Sequence, residues 1–239
     1  MIATFINCAL IIAGSLLGIL LRNKISDRFI VIVTQGLSLC VLAIGISAAI
    51  GTQNTLCVIV CMVVGTLIGE GLRIEARLDN VGDFLKTKLI KGSNNSRFTE
   101  GFVTASVLFC VGAMAVMGAI DAGINGNYSI LISKSVIDGV TAISFAAAMG
   151  IGVAFSALPI LIYQGGLTLL ATLVSGYLTT ALVTEMSAVG GVIIVGIGIN
   201  MLGLSDKKVK VGNMLPAIFL PLLYLPLSDW LVKNLLNLF

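Results

Sequence analysis

The sequence is organised around long runs of apolar residues, each close to the length that crosses a lipid bilayer. A membrane-spanning helix needs about 20 mostly apolar residues. Such runs occupy residues 2–21, 29–50, 55–72, 98–118, 133–156, 158–181, 187–203 and 212–236. Only 10% of the 239 residues are charged, against about 25% in a typical soluble domain. The sequence therefore predicts an all-α polytopic membrane protein with about eight transmembrane helices, which form one domain over residues 1–239 in the lipid bilayer.

Lysine and arginine lie mostly in alternate connections between these runs. Three connections are basic: 22–28, 73–97 and 207–210. Three contain neither Lys nor Arg: 51–54, 119–129 and 182–186. Because cytoplasmic loops carry the excess of Lys and Arg, this alternation predicts eight crossings with both termini outside the cell; Lys134 and Lys233 are the exceptions. The net charge of +3 marks topology and does not indicate nucleic-acid binding.

The longest connection, 73–97, predicts an amphipathic helix on the cytoplasmic face. Its apolar residues recur at helical spacing: Ile74, Leu78, Val81, Leu85 and Leu89. Residues 92–96 read Gly-Ser-Asn-Asn-Ser and predict a linker. A helix of this kind either lies at the lipid headgroups or contacts a partner protein through residues 73–91.

Small residues and a short internal match suggest how the spans pack. Gly14 and Gly18, and likewise Gly65 and Gly69, are four residues apart, which suits close helix packing within the chain or between copies in a homo-oligomer. Residues 44–47 read Ile-Gly-Ile-Ser, and residues 197–200 read Ile-Gly-Ile-Asn. This match suggests inverted repeats in a 3+2+3 arrangement of spans, a common device of transporters, although chance in a Gly-rich sequence is the alternative.

Lys134 and Asp138 are the first candidates for a functional site. They are four residues apart in an apolar run, so on a helix the ammonium and the carboxylate share one face. Ionisable groups inside a membrane are costly and tend to face a partner or a cavity. Gln164, in the sixth run, adds a polar group that could face the same interior. The alternative is a buried pair whose two charges only satisfy each other.

Other candidate ligands lie near the ends or the breaks of the runs: Glu70, Glu185, Asn200 and Asn213. Glu70 is flanked by glycines that allow close approach, but Arg73 offers it a plain salt bridge. Glu185 precedes the seventh run and suits a helix N-terminus. The prolines predicted to break helices are Pro159, Pro216 and Pro221, because proline removes a helical hydrogen bond.

Several kinds of site are excluded or disfavoured. The chain has no His, which excludes Ser/His/Asp triads and HExxH zinc sites. The five Cys lie in apolar runs without CxxC spacing, so they predict buried free thiols. Residues 121–127 resemble half of a calcium loop, but the twelfth position is Ile132 instead of Glu. We therefore expect no metal site, no cofactor and no enzymatic activity.

Six short stretches resemble the bacterial YqgA/YdfK-type inner-membrane family over nearly the whole chain. They are 65–70, 109–112, 134–139, 163–165, 187–191 and 212–216. The resemblance implies a multi-pass protein of the bacterial plasma (inner) membrane, with no established activity beyond a suggested transporter role. It also implies that Glu70, Lys134, Asp138 and Asn213 are recurring polar positions.

Together these features predict a secondary transporter of a small polar solute or ion. Asp138, paired with Lys134, would be the switchable charge, with Asn213 and the Pro-broken last helix supplying further ligands and Glu70 near the cytoplasmic mouth. Two alternatives remain at this point: a passive channel through the same polar interior, and a non-transporting scaffold that acts through the 73–91 helix.

Overall fold

The computed structural model describes residues 1–22, 26–78, 80, 84, 98–174, 176, 178–204 and 207–236. Its secondary structure in these residues consists of α-helices and one 3-10 helix. The long helices are α1 (Ile2–Arg22), α2 (Asp27–Ala49), α3 (Thr55–Leu72), α6 (Ser129–Met149) and α10 (Thr180–Leu202). The remaining segments are α4 (Phe98–Cys110), α5 (Ala113–Ile124), α7 (Gly152–Phe155), α8 (Ala157–Leu169), α9 (Ala171–Val174), the 3-10 helix (Val211–Phe219) and α11 (Pro221–Leu236).

Six helical stretches are long and apolar enough to cross a membrane, and two bent helix pairs raise this number to eight if each pair crosses once. α4 and α5 form the first pair, bent by 58°. The bend lies at Gly112, whose φ of +129° is one that side chains rarely allow. The 3-10 helix and α11 form the second pair, bent by 46°. The prediction of an all-α polytopic membrane protein is confirmed.

The prolines lie where the helices start or change type. Pro216 is inside the 3-10 helix, and Pro221 is the first residue of α11, directly after the second bend. Pro159 is the third residue of α8, three residues after the irregular Ser156. Proline is tolerated in the first turn of a helix because the N–H groups there have no helical partner. The chain is thus bent directly before Pro221, Pro216 lies within a tighter helix, and Pro159 follows a turn inside the candidate span 152–169.

Three predicted boundaries are wrong. The connection predicted at 119–129 is helical as far as Ile124, because α5 continues beyond the bend at Gly112. The connection predicted at 182–186 belongs to α10, which begins at Thr180 behind an N-cap bond from Leu182 N to Thr179 Oγ1. The span predicted at 133–156 ends at Met149, because Gly150 has a φ of +87°. In each case a glycine or a capping residue decides the boundary, and the apolar character continues across it.

Glycines bring α1 and α6 into parallel contact. A Cβ added at Gly14 would collide with the carbonyl oxygen of Gly139, and one added at Gly18 with that of Ile143. The partner numbers rise together, so the two helices run in the same direction. Between α1 and α6, the chain passes through the two spans α2 and α3 and then through the bent pair α4–α5. Parallel crossing of α1 and α6 therefore requires this pair to cross the membrane once, which supports the eight-span arrangement.

Two other helix pairs run antiparallel. A Cβ at Gly45 would lie 2.7 Å from the Val195 backbone nitrogen, and one at Gly191 would lie 2.6 Å from that of Ala49. α2 and α10 therefore cross in opposite directions. Gly65 and Gly69 of α3 press in the same way against Ala217 and Asn213 of the 3-10 helix. The four glycines of the two Gly-x-x-x-Gly motifs thus pack within the chain. The inverted repeat stays a prediction, although it would relate these antiparallel partners.

The ends of the helices define two faces of the bundle. We call the face that carries Arg73, Lys208 and Lys210 the basic face, because Lys210 pairs with Glu70 at the end of α3 and Lys208 with Glu100 at the start of α4. The opposite face carries the α2–α3 and α5–α6 connections. Of the predicted amphipathic helix, the structure describes a helical turn at 74–78 on the basic face and residues 80 and 84. Val81, Leu85, Leu89 and the linker lie outside the described residues.

Candidate functional site

Lys134 and Asp138 form a buried ion pair on α6. Each residue is 6% exposed, and the Lys134 Nζ contacts Asp138 Oδ2. Their spacing of four residues places both side chains on one face of the helix. Apolar residues make up much of the surroundings, with Leu131 one turn away. In such surroundings each charge depends on the other, because an unpaired buried charge is strongly destabilising.

Two amides from other helices complete this polar cluster. Asn7 on α1 donates its Nδ2 to Asp138 Oδ2 over 3.0 Å and to Gln164 Oε1 on α8 over 3.3 Å. Gln164 donates its Nε2 to Thr4 Oγ1 over 3.3 Å. Asn7 and Thr4 are fully buried and Gln164 is nearly so. We call these five residues, Thr4, Asn7, Lys134, Asp138 and Gln164, the central polar cluster.

One atom of the central polar cluster has no partner. Within the described residues, Asn7 Oδ1 is buried and accepts no hydrogen bond. A buried acceptor without a donor costs about 1–3 kcal/mol. Such atoms are uncommon in native proteins, and each one indicates a water, an ion or a strained site. Asn7 Oδ1 can therefore accept a hydrogen bond from one further donor or bind a cation.

The cluster lies inside the bundle, nearer the opposite face. Asn7 is five residues from the start of α1 and Asp138 is nine residues from the start of α6, which corresponds to depths of roughly 8 and 14 Å along the helices. Cys110 is the last residue of α4 before the bend. Both halves of the bent pair α4–α5 pack against α6, the helix that carries the ion pair.

Cavities open between the helices on the side of the basic face. A mostly apolar cavity of about 230 Å³ lies between α4, α8 and the 3-10 helix, and its lining includes Leu78, Cys110 and Tyr163. Tyr163 precedes Gln164 of the cluster. Two polar cavities of about 260 and 320 Å³ open near Glu100, Asn200 and Lys208. The apolar cavity extends from Leu78 of the amphipathic turn to Cys110 and Tyr163.

Glu70 and Asn213 form a second cluster on the basic face. Asn213 donates to Glu70 Oε2 over 2.6 Å and accepts from the Glu75 backbone N–H over 2.7 Å. Glu75 in turn accepts from the Gly212 backbone N–H over 2.6 Å. Lys210 contacts both carboxylate oxygens of Glu70, at 2.9 and 3.2 Å. We call this group the basic-face latch, since it ties the turn at 74–78 and the end of α3 to the 3-10 helix.

Glu185 and Asn200 each hold one connection in place. Glu185, 2% exposed, accepts from the Thr52 hydroxyl over 2.5 Å and from the backbone N–H groups of Gln53 and Asn54 over 2.7 and 3.1 Å. Asn200 exchanges two hydrogen bonds of 2.8 Å with the backbone of Val209. These bonds give both side chains a structural role, Glu185 at the opposite face and Asn200 at the basic face.

The structure thus divides the residues singled out in the sequence. It brings Lys134, Asp138 and Gln164 together, and it groups Glu70 with Asn213 elsewhere. Sequence reasoning missed Asn7 and Thr4. A signal for them existed, because they are one helical turn apart in the otherwise apolar run 2–21 and would share a helix face.

The Cys and acidic residues form no recognisable metal centre. Among the described residues, no group of three or more His, Cys, Asp or Glu could hold a metal ion. The five Cys are free thiols, and of these Cys8, Cys57 and Cys61 are buried. The central polar cluster offers oxygen atoms of a different kind, from one carboxylate, two amides and one hydroxyl.

The helices and the buried charges define a polytopic α-helical membrane protein with a polar cluster in its interior. The model of the family described as "Protein of unknown function (DUF554)" matches residues 2–225. The chain belongs to this family, and the sequence-based identification is confirmed.

Two relatives match over nearly their whole length. The uncharacterized membrane protein YdfK of Bacillus subtilis (strain 168) is 32% identical over 225 residues, which cover 92% of this chain and 94% of the relative. The uncharacterized protein YqgA of Escherichia coli (strain K12) is 34% identical over 231 residues, covering 95% of this chain and 96% of the relative. No solved structure gives a significant match.

Proposed function

We propose that this protein is a secondary transporter of a small polar solute or ion across the bacterial inner membrane. The observation that carries the proposal is the buried Lys134–Asp138 pair, which accepts a hydrogen bond from Asn7 on another helix and lies on α6, against which the broken α4–α5 span packs. Charged groups inside a membrane domain typically mark a substrate or ion pathway.

The broken helices support a moving site. Transporter sites commonly lie near mid-membrane beside discontinuous helices, and one part of the bundle moves against the other. Both halves of the broken α4–α5 span pack against α6, which carries the ion pair, and the 3-10 helix and α11 on either side of the second break both pack against α3. In our proposal the cavities beside Tyr163 and Lys208 lead from the cytoplasm, and the basic-face latch closes or opens that side.

We further propose that the basic face is cytoplasmic and that both termini lie outside. Cytoplasmic loops are enriched in Lys and Arg, and the Lys and Arg that the structure describes in the connections lie on the basic face or at the α1–α2 connection. The proposed partners are the lipid bilayer and the transported solute or ion. The proposal assigns the protein no enzymatic step, and self-association is not needed for the site.

Currents from proteoliposomes on a solid-supported membrane test the proposal. Wild type would be challenged with panels of cations, small carboxylates and amino acids. We expect a saturable current with one class of compound, lost in Asp138→Asn and kept in the matched control Asp121→Asn, which alters an acidic residue at the opposite face bonded to Asn125. Equal currents from wild type and Asp138→Asn would reject Asp138 as the functional charge.

Counterflow separates the transporter from the two alternatives. A carrier that alternates its access exchanges labelled for unlabelled substrate across the membrane, whereas a passive channel gives flux that does not saturate and no counterflow. A scaffold acting through the 73–91 helix would give neither, and it would instead lose a stoichiometric partner when that helix is scrambled.

A further inference from the structure

The oxygen atoms around Asp138 suit a small monovalent metal cation. We propose that an alkali cation, Na⁺ in the first instance, binds between Asp138, Asn7 and Gln164 and replaces the Lys134 ammonium as the positive charge beside Asp138. This inference rests on the proposed transport function and names the class of ion for the same site.

The orientation of the Asn7 amide is the first argument. Its Nδ2 lies 3.0 Å from Asp138 Oδ2 and 3.3 Å from Gln164 Oε1, while its Oδ1 is buried without a partner. A half-turn about the terminal torsion of Asn7, which is soft in Asn side chains, exchanges these two atoms. Oδ1 then faces Asp138 Oδ2 and Gln164 Oε1, and Nδ2 takes the position in which Oδ1 had no partner. Three facing oxygens repel one another unless a cation lies between them.

The orientation of Gln164 is fixed by a different contact. Its Nε2 donates to Thr4 Oγ1 over 3.3 Å, so its Oε1 points towards Asn7. Carboxylate and amide oxygens are hard ligands, which favour hard cations over soft metals. In the observed orientation, Asn7 donates to two acceptors. After the rotation, Asn7 Oδ1, Asp138 Oδ2 and Gln164 Oε1 form a set of three oxygen ligands, and Gln164 does not have to move.

The charge of the cluster selects a monovalent ion. Asp138 supplies one negative charge, and the described residues of the cluster carry no second carboxylate. A monovalent cation balances that charge, whereas a divalent ion would leave an excess positive charge in a buried site. Two cations beside one buried carboxylate repel each other. The metal ion and the Lys134 ammonium are therefore alternative occupants.

Lys134 must leave Asp138 when the metal ion binds. The broken α4–α5 span packs against α6, and α4 ends at Cys110 beside the bend. The carboxyl end of a helix attracts a cation through its free carbonyl groups. An anion on Lys134 is the competing idea, and the unpartnered atom argues against it, because Asn7 Oδ1 is an acceptor that would repel an anion.

Thermal unfolding of the purified protein in detergent tests the cation site. NaCl, LiCl, KCl or methylammonium chloride would replace choline chloride at constant ionic strength, because an ion that binds the folded state raises the melting temperature. We expect Na⁺ to raise the melting temperature of wild type. In Lys134→Gln, the Na⁺ concentration that gives half of the full rise in melting temperature should be at least about tenfold lower than in wild type. The reason is that the Lys134 ammonium no longer competes with Na⁺ for Asp138.

Matched variants identify the ligands. Asp138→Asn should show no cation-dependent shift, and Asp121→Asn should respond as wild type does. Asn7→Ala keeps the Lys134–Asp138 pair and removes one ligand, so its half-shift concentration should rise about tenfold or more. This variant keeps the test decisive if Lys134→Gln does not fold.

Each outcome bears on the proposal separately from transport. Absence of a Na⁺ shift in wild type and in Lys134→Gln, an unchanged half-shift concentration in Asn7→Ala, or a larger shift with methylammonium than with Na⁺ would overturn the metal-cation assignment. Saturable currents without any cation shift would leave transport standing and remove this inference. A Na⁺-dependent rise in melting temperature in a protein that carries no current for any compound would support the cation site and remove the transport proposal.

Discussion

Asn7 on α1 donates a hydrogen bond of 3.0 Å to Asp138 on α6, although 131 positions separate the two residues in the chain. The bond joins the two helices that the glycines at 14 and 18 bring into parallel contact. The same amide also reaches Gln164 on α8. Asn7 therefore links three spans beside one buried carboxylate, and a movement of any of them would alter the hydrogen bonds around that charge.

Close packing of α3 against the 3-10 helix predicts a large difference between two neighbouring glycines. Gly69→Ala would drive a methyl group into the Asn213 carbonyl, whereas a Cβ at Gly71 meets nothing within 4 Å. We expect Gly69→Ala to destabilise the protein by about 1–3 kcal/mol, the usual range for overpacking, and Gly71→Ala to have little effect. Melting temperatures in detergent measure the difference. Equal melting temperatures would mean that α3 and the 3-10 helix are not in this contact.

The two faces of the bundle predict opposite labelling patterns. In a variant whose five native cysteines are replaced, Gln53→Cys reports the opposite face and Arg77→Cys reports the basic face; both residues are exposed. In right-side-out vesicles, a membrane-impermeant maleimide should label Gln53→Cys directly and Arg77→Cys only after permeabilisation. The reverse pattern would invert the proposed orientation, and labelling of both from outside would contradict eight crossings.

Glu185 is predicted to stabilise the fold and to take no part in substrate binding. Its carboxylate accepts three hydrogen bonds from the α2–α3 connection, so Glu185→Ala leaves donors unsatisfied at a cost of about 1–3 kcal/mol each where they stay buried. Glu185→Gln should keep part of this stability. We expect a lower melting temperature and an unchanged substrate KM in both variants. A raised KM at full stability would instead make Glu185 a ligand.

The basic-face latch depends more on Asn213 than on Lys210. Asn213 is 3% exposed and bridges Glu70 to the Glu75 backbone, so Asn213→Ala should cost about 1–3 kcal/mol. Lys210 is exposed, and exposed ion pairs contribute little. Lys210→Gln should therefore leave the melting temperature nearly unchanged. If Lys210→Gln destabilised the protein as much as Asn213→Ala, the ion pair and not the amide would hold the latch.

The sequence carried enough information for the number and type of the elements. Apolar runs near 20 residues long have few alternatives to membrane helices, and the i, i+4 spacing of Lys134 and Asp138 fixed their common face. Boundaries were less accessible, because Gly112, Gly150 and Thr179 interrupt or cap helices within sequence that remains apolar on both sides.

The composition of the central polar cluster could not be read from the sequence alone. Helical spacing relates residues within one span, but the rotation of α1 against α6 and α8 decides which faces meet. Asn7 was a visible polar residue without a visible partner. Asn213 and Glu185 were candidate ligands by their polar character alone, and the structure shows both holding connections, at the two opposite faces of the bundle.

The double variant Lys134→Gln with Asp138→Asn separates a functional role of the ion pair from a purely structural one. Each single change leaves one buried charge unpaired and is expected to destabilise the fold, whereas the double variant replaces the pair by two neutral amides of similar size. Its melting temperature should therefore lie closer to that of wild type than either single variant does, which makes a loss of activity interpretable.

The decisive measurement is substrate flux into proteoliposomes that contain this double variant, for the compound class that drives a saturable current in wild type. Our account predicts a well-folded protein with no coupled flux, because the switchable charge is gone. Wild-type flux from the folded double variant would contradict the account and would reduce the Lys134–Asp138 pair to a structural contact.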